Sequence, residues 1–279
     1  MSQEEYLRKV LERLGYGSQS QAGRRPVKNP FPAGWKPTAC LESKSVSDTK
    51  KTEYRSAVAA LNYAASQARP DLKLPVSILA AYFNDPKDEH FTALDYLLRY
   101  VKHTITWRIE FMHKGDQKVT GHVDASFADC LDTRRSRSGY VWMLADGPVM
   151  WQSKIQKSMK PARSTAESEL VAAASALEDG NYLINLSKEC GQRFRVTKLM
   201  IREDNQAVIR IVNNRWTSPR TKALDIRHFW VRAHVLQGSV DFMHVGTKHQ
   251  IADALTKVLN SEERQRHFEA MGVKFESII

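Results

Sequence analysis

The 279-residue chain carries a formal net charge of +11 at pH 7, from 42 Lys and Arg against 31 Asp and Glu. Its hydrophobic content of 42% is ordinary for a folded protein. The length allows one or two domains with a proper core. The positive charge is typical of a protein with a phosphate-rich partner such as nucleic acid, although an unspecific basic surface would give the same total.

Cysteine usage and hydropathy indicate the compartment. Cys40, Cys130 and Cys190 are far apart and odd in number, which excludes a disulfide framework and zinc-ligand spacing. No apolar run approaches the roughly 20 residues that a membrane span needs. The charged N-terminus lacks the apolar core of a signal peptide. We therefore expect an intracellular protein, cytoplasmic or nuclear, with no membrane partner.

The N-terminal part of the chain is predicted to be helical. Residues 3–15 form one amphipathic helix in this interpretation, since apolar side chains recur there at helical spacing. Residues 18–51 are rich in Ser, Lys, Pro and Gly without a sustained period, which is typical of a linker. Three further helices are predicted within residues 52–117, at 52–68, 74–85 and 88–104. Their apolar stripes predict core packing and no catalytic constellation.

After residue 117 the pattern changes to alternating strands and helices. Strands are predicted at 118–128, 138–145, 148–154, 196–204 and 239–246. Helices are predicted at 164–190, 205–214, 221–238 and 249–259. A three-strand meander followed by alternating elements indicates an α/β fold, in which helices pack on a mixed sheet.

Four acidic residues occupy related places on this frame. Asp124 and Asp204 end the first and fourth predicted strands, while Glu169 and Asp253 lie in helices. If those strands are neighbours, the four carboxylates gather at one edge and repel one another. A divalent cation with oxygen ligands, Mg²⁺ or Mn²⁺, would relieve that repulsion. Taken singly, each residue also has a structural interpretation, such as a helix cap for Asp204.

Five ordered segments carry a family resemblance: GHVDASFADCLDTRRSRSGYVWML, WQSKIQKSMKPARSTAESELVAAASA, IREDNQAVIRIVNN, RTKALDIRHFWVR and GTKHQIADALTK. Together they closely resemble the ribonuclease H domain of copia-type LTR retrotransposon Pol polyproteins. The upstream helices look like the thumb and connection region of the same polyproteins, and the N-terminus resembles the end of the polymerase portion. The domains implied are a polymerase-end helix at 1–17, a linker at 18–51, a helical thumb/connection region at 52–117, a ribonuclease H domain at 118–258 and a C-terminal helix at 259–279.

The resemblance implies a ribonuclease H-like fold, with a five-stranded mixed sheet and flanking helices. It also implies a metal-dependent endonuclease that hydrolyses the RNA strand of RNA–DNA hybrids. The family's metal ligands and catalytic carboxylates fall on Asp124, Glu169, Asp204 and Asp253, which would bind two Mg²⁺ ions, with Mn²⁺ as a possible substitute. His249 is the nearest candidate for a loop histidine that assists product release. The implied partners are an RNA–DNA hybrid and a polymerase-containing chain.

Basic and polar side chains near these acids are candidate substrate contacts. Arg134, Arg135 and Arg137 form one basic group and Lys154, Lys157 and Lys160 another, although ordinary solvated loop charge is the alternative for each. Hybrids are recognised through groove shape and 2′-hydroxyls, which suits small polar side chains. The predicted substrate-binding residues are Ser126, Arg135, Lys154, Ser164, Asn205 and Gln206.

Some features depart from the family pattern. The usual Asp-Ala-Asp reads Asp124-Ala125-Ser126, the usual TEAE reads AESE, and a frequent His is Ala223. The chain contains no Tyr-x-Asp-Asp hairpin, the signature of the polymerase site, so DNA synthesis by this chain alone is not expected. The alternative function is a catalytically silent remnant that binds nucleic acid or a partner chain.

Overall fold

The computed structural model describes residues 1–17, 27–32, 35, 37–39, 44–112, 118–157, 161–190, 196–214 and 226–276. Cys40, Lys160 and Ala223 lie outside the described residues. The chain divides into two compact units, the first made of Met1–Glu110 with Lys257–Ile279 and the second of Phe111–Thr256. None of the helices in these described ranges is both long enough and apolar enough to cross a membrane.

Elements are numbered along the chain. The helices are α1 (Glu4–Arg13), α2 (Asp48–Gln67), α3 (Lys73–Ala80), α4 (Asp88–His103), α5 (Thr165–Glu189), α6 (Gln206–Asn213), α7 (Ile226–Leu236) and α8 (Ser261–Ala270). The strands are β1 (Arg108–Ile109), β2 (Thr120–Ser126), β3 (Arg137–Leu144), β4 (Gly147–Ile155), β5 (Leu199–Glu203), β6 (Val240–His244) and β7 (Val273–Lys274).

The first unit is helical, with a core of its own and a two-stranded antiparallel sheet of β1 and β7. Helix α2 begins inside the predicted linker, because the Ser47 hydroxyl accepts a hydrogen bond from the Lys50 amide and caps the helix. Val27 and Phe31 of the same predicted linker are buried in this core. These two residues of the predicted linker therefore pack against the helices.

A buried polar network ties the C-terminal residues into the first unit. Arg69 makes a two-pronged ion pair with Asp71, with both N–O distances 2.8 Å. The Tyr100 hydroxyl donates to Asp71 at 2.8 Å, and Arg264 of α8 donates to that hydroxyl at 2.6 Å. Arg264 also donates to the Lys28 carbonyl oxygen. The segment that follows residue 256 is thus part of the core around α4.

We expect Arg264→Met to lower the free energy of unfolding by about 1–3 kcal/mol, because it removes buried hydrogen bonds from a charged donor. The control is Arg266→Met on the same helix, where the side chain is exposed and the change should be within about 0.5 kcal/mol. Denaturant unfolding followed by circular dichroism measures both. Equal effects of the two substitutions would contradict the role given to the network.

The second unit is built on a five-stranded sheet with the order β4-β3-β2-β5-β6. Strands β2, β3 and β4 form an antiparallel meander, whereas β5 pairs in parallel with both β2 and β6. The chain runs outward from β2 to β4 and then returns through α5 to the other side of β2. The α/β class and the five-stranded mixed sheet predicted from the sequence are confirmed.

Packing of α5 on the sheet depends on one large side chain, Trp142, and on two glycines that face it. Trp142 of β3 is fully buried, and its indole N–H donates to the Ala176 carbonyl oxygen at 2.9 Å. A Cβ atom would come within 2.8 Å of the Trp142 ring at Gly121 and within 2.6 Å at Gly180. Glycine at these positions therefore lets the helix and strand close on the indole.

The α-helix predicted over residues 249–259 is wrong. This stretch contains two short 3-10 turns, Thr247–His249 and Ile251–Leu255, and α8 begins only at Ser261. Gln250 lies between the turns in an extended conformation, with φ −78° and ψ 90°, which interrupts any continuous helix. Asp253 consequently lies on a 3-10 turn.

Candidate metal centre

Two aspartates lie together because β2 and β5 are parallel neighbours. The register pairs His122 with Arg202, so Asp124 and Asp204 each follow two residues later at the same edge of the sheet. Side chains alternate between the two faces of a strand, so Asp124 lies on the same face as His122 and Asp204 on the same face as Arg202. Asp124 is buried and Asp204 half-buried. The sequence expectation that the two strands are neighbours is confirmed.

Helix α5 brings the third carboxylate. The Ser164 hydroxyl caps this helix by accepting a hydrogen bond from the Glu167 amide, and Glu169 follows in the second turn, buried. The Gln156 side-chain amide donates to the Ser168 carbonyl oxygen at 2.8 Å and to the Ser138 hydroxyl at 2.9 Å. These bonds tie the first turns of α5 to β3.

Asp124, Glu169 and Asp204 each offer a carboxylate oxygen, and these three atoms lie within 4.8 Å of one another. Oxygens on opposite sides of an octahedral Mg²⁺ are about 4 Å apart, since each Mg–O bond is about 2.1 Å. An all-oxygen, negatively charged donor set of this size fits Mg²⁺ or Mn²⁺ and disfavours the softer metals that prefer sulfur or imidazole. The structure therefore unites three of the four predicted ligands.

Asp253, the fourth predicted ligand, is buried on the turn that follows Gln250 but is not one of the three whose ligand atoms meet the 4.8 Å limit. Its role as a ligand stays a prediction. Thr256, at the end of the same turn, donates a short hydrogen bond from its hydroxyl to Asp124 Oδ2. The turn thus contacts the cluster directly.

Glu203 adds a buried carboxyl group beside the cluster. Its side chain has no exposed surface, and its Oε1 accepts a hydrogen bond from the Asn205 amide at 3.0 Å. Burial, together with the charges of Asp204 and Asp124, raises the pKa of Glu203 to about 8. The raised pKa favours the protonated form of Glu203, which carries no negative charge at the edge of the sheet.

Asn205, and not Asp204, caps helix α6. The Asn205 side-chain oxygen accepts a hydrogen bond from the Ala207 amide at 3.0 Å. The alternative in which Asp204 serves as the helix cap is therefore wrong, and its carboxylate belongs to the cluster. Asn205 remains a predicted substrate contact through its amide nitrogen, and the neighbouring Gln206 is exposed.

The residues of the two predicted basic groups differ in how deeply they are buried. Arg137 is the first residue of β3 and is buried in an ion pair with Asp129 at 3.2 Å, so the expectation that it holds phosphate is wrong. Arg135 is half-buried, and its backbone carbonyl accepts from the Cys130 amide. Lys154 is exposed on β4 and borders a cavity of about 310 Å³ over β3, β4 and α5.

The remaining predicted site residues are near the edge of the sheet or on the surface. Ser126 is the half-buried last residue of β2. His249 is exposed in the turn directly before Gln250. Sequence reasoning missed Gln250, Gln156 and Thr256, whose side chains link distant segments. For Gln250 and Thr256, the sequence signal was that a polar residue lies on either side of the apolar stretch around Asp253.

Transposon polyproteins are among the known proteins to which the chain is similar. No family model matches the chain. It is 31% identical over 265 residues to the retrovirus-related Pol polyprotein from transposon TNT 1-94 of Nicotiana tabacum, covering 93% of this chain and 19% of the relative. It is 33% identical over 227 residues to the Pol polyprotein from transposon RE1 of Arabidopsis thaliana, covering 81% of this chain and 15% of the relative. The chain therefore spans less than a fifth of these relatives' length.

A solved structure is also similar to part of the chain. The LC11-RNase H1 structure, in complex with an RNA/DNA hybrid, is 17% identical, with a TM-score of 0.36, and the match covers 50% of this chain and 94% of that one. The strand order and flanking helices define the second unit as an α/β domain with a five-stranded mixed sheet. Retrovirus-related Pol polyproteins of copia-type transposons are thus homologues of this chain, as the sequence motifs predicted, and each match covers a part of the polyprotein.

Proposed function

We propose that the second unit is a metal-dependent nuclease that hydrolyses the RNA strand of an RNA–DNA hybrid. The observation that carries this proposal is the cluster of Asp124, Glu169 and Asp204 at the edge of the sheet where β2 and β5 end. In open α/β sheets, ligands bind outside the carboxyl ends of strands, at the point where the strand order reverses. Sequence similarity to transposon Pol polyproteins supports nucleic acid as the substrate class.

In this proposal the chain's own carboxylates hold divalent cations and orient them toward the substrate. Asp124, Glu169 and Asp204 would provide the central oxygen ligands, and Asp253 would be the fourth, as the sequence motifs imply. Mg²⁺ or Mn²⁺ held by these carboxylates would supply the activation of a water and the stabilisation of the leaving oxygen of a phosphodiester. The Thr256 hydroxyl fixes the orientation of the Asp124 carboxylate. Glu169 is buried, so bulk water has little access to its carboxylate.

Substrate binding is proposed for exposed or half-exposed polar side chains around this edge. Lys154 and Arg135 would contact phosphates, which position a duplex without reading its sequence. Ser126, Asn205 and Gln206 would contact the groove and the 2′-hydroxyls of the RNA strand. Ser164 would contact substrate while it caps α5, and the exposed His249 would assist release of the product.

The competing proposal is a catalytically silent remnant that binds nucleic acid or a polymerase-containing chain. It is favoured by the fact that the chain covers only 19% and 15% of its first two relatives. Both proposals predict binding of a hybrid that weakens with salt. Only the nuclease proposal predicts turnover.

The test is cleavage of end-labelled RNA–DNA hybrid, double-stranded RNA and double-stranded DNA in Mg²⁺, Mn²⁺ or EDTA. We expect the wild type to cut only the RNA strand of the hybrid, and Asp204→Asn to lose at least about 10²-fold in kcat/KM, since even outer-shell partners of metal sites account for 10–100-fold. The control is Asp241→Asn on the neighbouring strand β6, where the half-exposed carboxylate pairs with Lys198 at 2.7 Å.

The control Asp241→Asn makes the same chemical change outside the cluster and should cleave like the wild type, because surface ion pairs contribute little to stability. Hybrid binding without cleavage by the wild type in either metal would reject the nuclease proposal in favour of the silent remnant. Equal loss in Asp204→Asn and Asp241→Asn would show that the cluster is not the site.

A further inference from the structure

One buried amide lies at the junction of the elements that carry the acidic cluster. Gln250 has no exposed surface. Its Nε2 donates to the Val123 carbonyl oxygen of β2 at 2.8 Å and to the Arg202 carbonyl oxygen of β5 at 3.2 Å. Because both partners are carbonyl oxygens, which only accept, the amide nitrogen must face them and the orientation of the side chain is fixed.

These two carbonyls lie where the parallel ladder between β2 and β5 ends. The last register pair is His122 with Arg202, although β2 continues to Ser126 and β5 to Glu203. Beyond that pair the strands no longer bond to each other. The Gln250 amide bridges them at this point, so it sets the distance between the strand ends.

The other end of the same amide holds the Asp253 turn. Gln250 Oε1 accepts from the Ala252 amide at 3.4 Å, which caps the turn Ile251–Leu255. It also lies 3.2 Å from His122 Nδ1, which must donate because the amide oxygen only accepts. One side chain therefore bonds to β2, to β5 and to the turn.

Each bond is made within two residues of a predicted ligand. Val123 directly precedes Asp124, Arg202 is two residues before Asp204, and Ala252 directly precedes Asp253. A change at Gln250 thus acts on three carboxylates at once without touching any of them. Small displacements matter in such a centre, since a misplacement of about 1 Å can cost about 10²-fold in rate.

We propose that Gln250 is a positioning residue of the metal centre: its amide holds the ends of β2 and β5 and the Asp253 turn at the separation that the cations require. This inference rests on the proposed nuclease function. It predicts that loss of the amide weakens divalent-cation binding and lowers kcat, while the KM for the hybrid changes little because the surfaces that contact nucleic acid are unaltered.

The experiment compares Gln250→Met with Gln250→Glu. Methionine keeps the length and removes every hydrogen bond. Glutamate keeps the acceptor for Ala252 and His122 but loses the two donor bonds to the strand carbonyls. We expect both variants to lose about 10–100-fold in kcat, as for other second-layer partners of metal ligands, with KM for the hybrid within about threefold of the wild type. The Mn²⁺ concentration for half-maximal activity should rise in both.

The control is Gln152→Met on β4, where the half-buried amide oxygen accepts from its neighbouring Ser153 amide at 3.2 Å. This variant should retain the wild-type kcat and Mn²⁺ dependence. Rates are compared per folded molecule, measured by circular dichroism. A wild-type kcat in Gln250→Met, or in a folded Gln250→Glu, would overturn the proposal.

A second readout separates this inference from the nuclease proposal. The rise in unfolding temperature on adding Mn²⁺ reports cation binding without turnover. If the wild type shows neither this rise nor cleavage, the nuclease function fails and the inference fails with it. If the wild type shows both and Gln250→Met shows the same rise, only the inference about Gln250 is overturned. A smaller rise in Gln250→Met than in Gln152→Met supports it.

Discussion

Replacement of Asp124 by asparagine is expected to abolish cleavage and to leave the metal-free protein at least as stable as the wild type. Asp124 is 1% exposed and shares a 4.8 Å cluster with two other carboxylates. Like charges at this distance destabilise the fold unless a cation neutralises them. Asparagine removes one charge and still accepts the hydrogen bond that Thr256 donates.

Asp124→Asn should thus lower activity without lowering the stability of the metal-free protein. In EDTA, the unfolding temperature of Asp124→Asn should equal or exceed that of the wild type. In Mn²⁺ at about a hundredfold excess over Kd, the wild type should gain about 5–10 °C, since such binding contributes about 2.7 kcal/mol. The variant should gain far less. A variant that is destabilised in EDTA and still stabilised by Mn²⁺ would show that Asp124 is a structural residue.

This arrangement follows the general trade-off between stability and activity, in which functional sites contain groups that destabilise the fold. The neighbouring Glu203 shows how the chain limits that cost. Burial and the charges of Asp204 and Asp124 raise the pKa of its carboxyl group to about 8, which favours the uncharged form and limits the negative charge at the edge of the sheet. The three cluster carboxylates are therefore the main source of the negative potential there.

Much of the second unit could be predicted from the sequence because its signals are local. The alternating pattern around Asp124 and the apolar run before Asp204 define two strands, and the capping Ser164 defines the start of α5. The chain order then restricts the sheet to few topologies. The two strands that carry Asp124 and Asp204 were inferred from local sequence, whereas their adjacency in the sheet was an assumption. Strands β2 and β5 are indeed paired.

The features that could not be predicted depend on contacts between distant residues. Gln250 bonds to Val123 across 127 positions, and Thr256 bonds to Asp124 across 132. Apolar periodicity gives no information about such pairs. The same limitation explains the wrong helix around Asp253. Its apolar spacing suits a helix, but the tertiary bonds of Gln250 impose an extended residue and short 3-10 turns.

Tertiary contacts also determine the position of the C-terminal residues. The sequence predicts a C-terminal helix at 259–279, and α8 lies within it. Nothing in its pattern indicates that Arg264 is buried against Tyr100 of the first unit. Buried arginine is rare without partners, so a lone charge on an amphipathic helix is normally assigned to the surface. The network around Asp71 supplies the partners here.

Gly139→Ala is expected to impair the metal centre selectively. Gly139 lies opposite Asp124 in the β2–β3 ladder. A Cβ atom at this position would lie 2.5 Å from Thr256 Cγ2, 3.0 Å from Leu255 Cβ and 3.2 Å from the Leu255 carbonyl carbon. Thr256 is β-branched and stiff, and its hydroxyl is bound to Asp124. The end of the Asp253 turn must therefore move away from the cluster.

We expect kcat per folded molecule to fall by at least about 10-fold in Gly139→Ala, by the same sensitivity to sub-ångström placement that governs other catalytic groups. The matched control is Gly180→Ala, where a Cβ would lie 2.6 Å from the Trp142 ring and 2.7 Å from Leu199 Cδ1. That change overpacks the core and should lower the free energy of unfolding by about 1–3 kcal/mol. Its folded fraction should cleave normally.

A second substitution tests whether the contact with Thr256 is the cause. Thr256→Ser removes the Cγ2 atom that Gly139→Ala would strike and keeps the hydroxyl that donates to Asp124. The double variant Gly139→Ala/Thr256→Ser should therefore recover much of the lost kcat, whereas Thr256→Ser should not rescue Gly180→Ala. Activity in the double variant no higher than in Gly139→Ala alone would mean that the methyl group acts elsewhere, and that close packing of the turn against β3 does not hold the cluster in place.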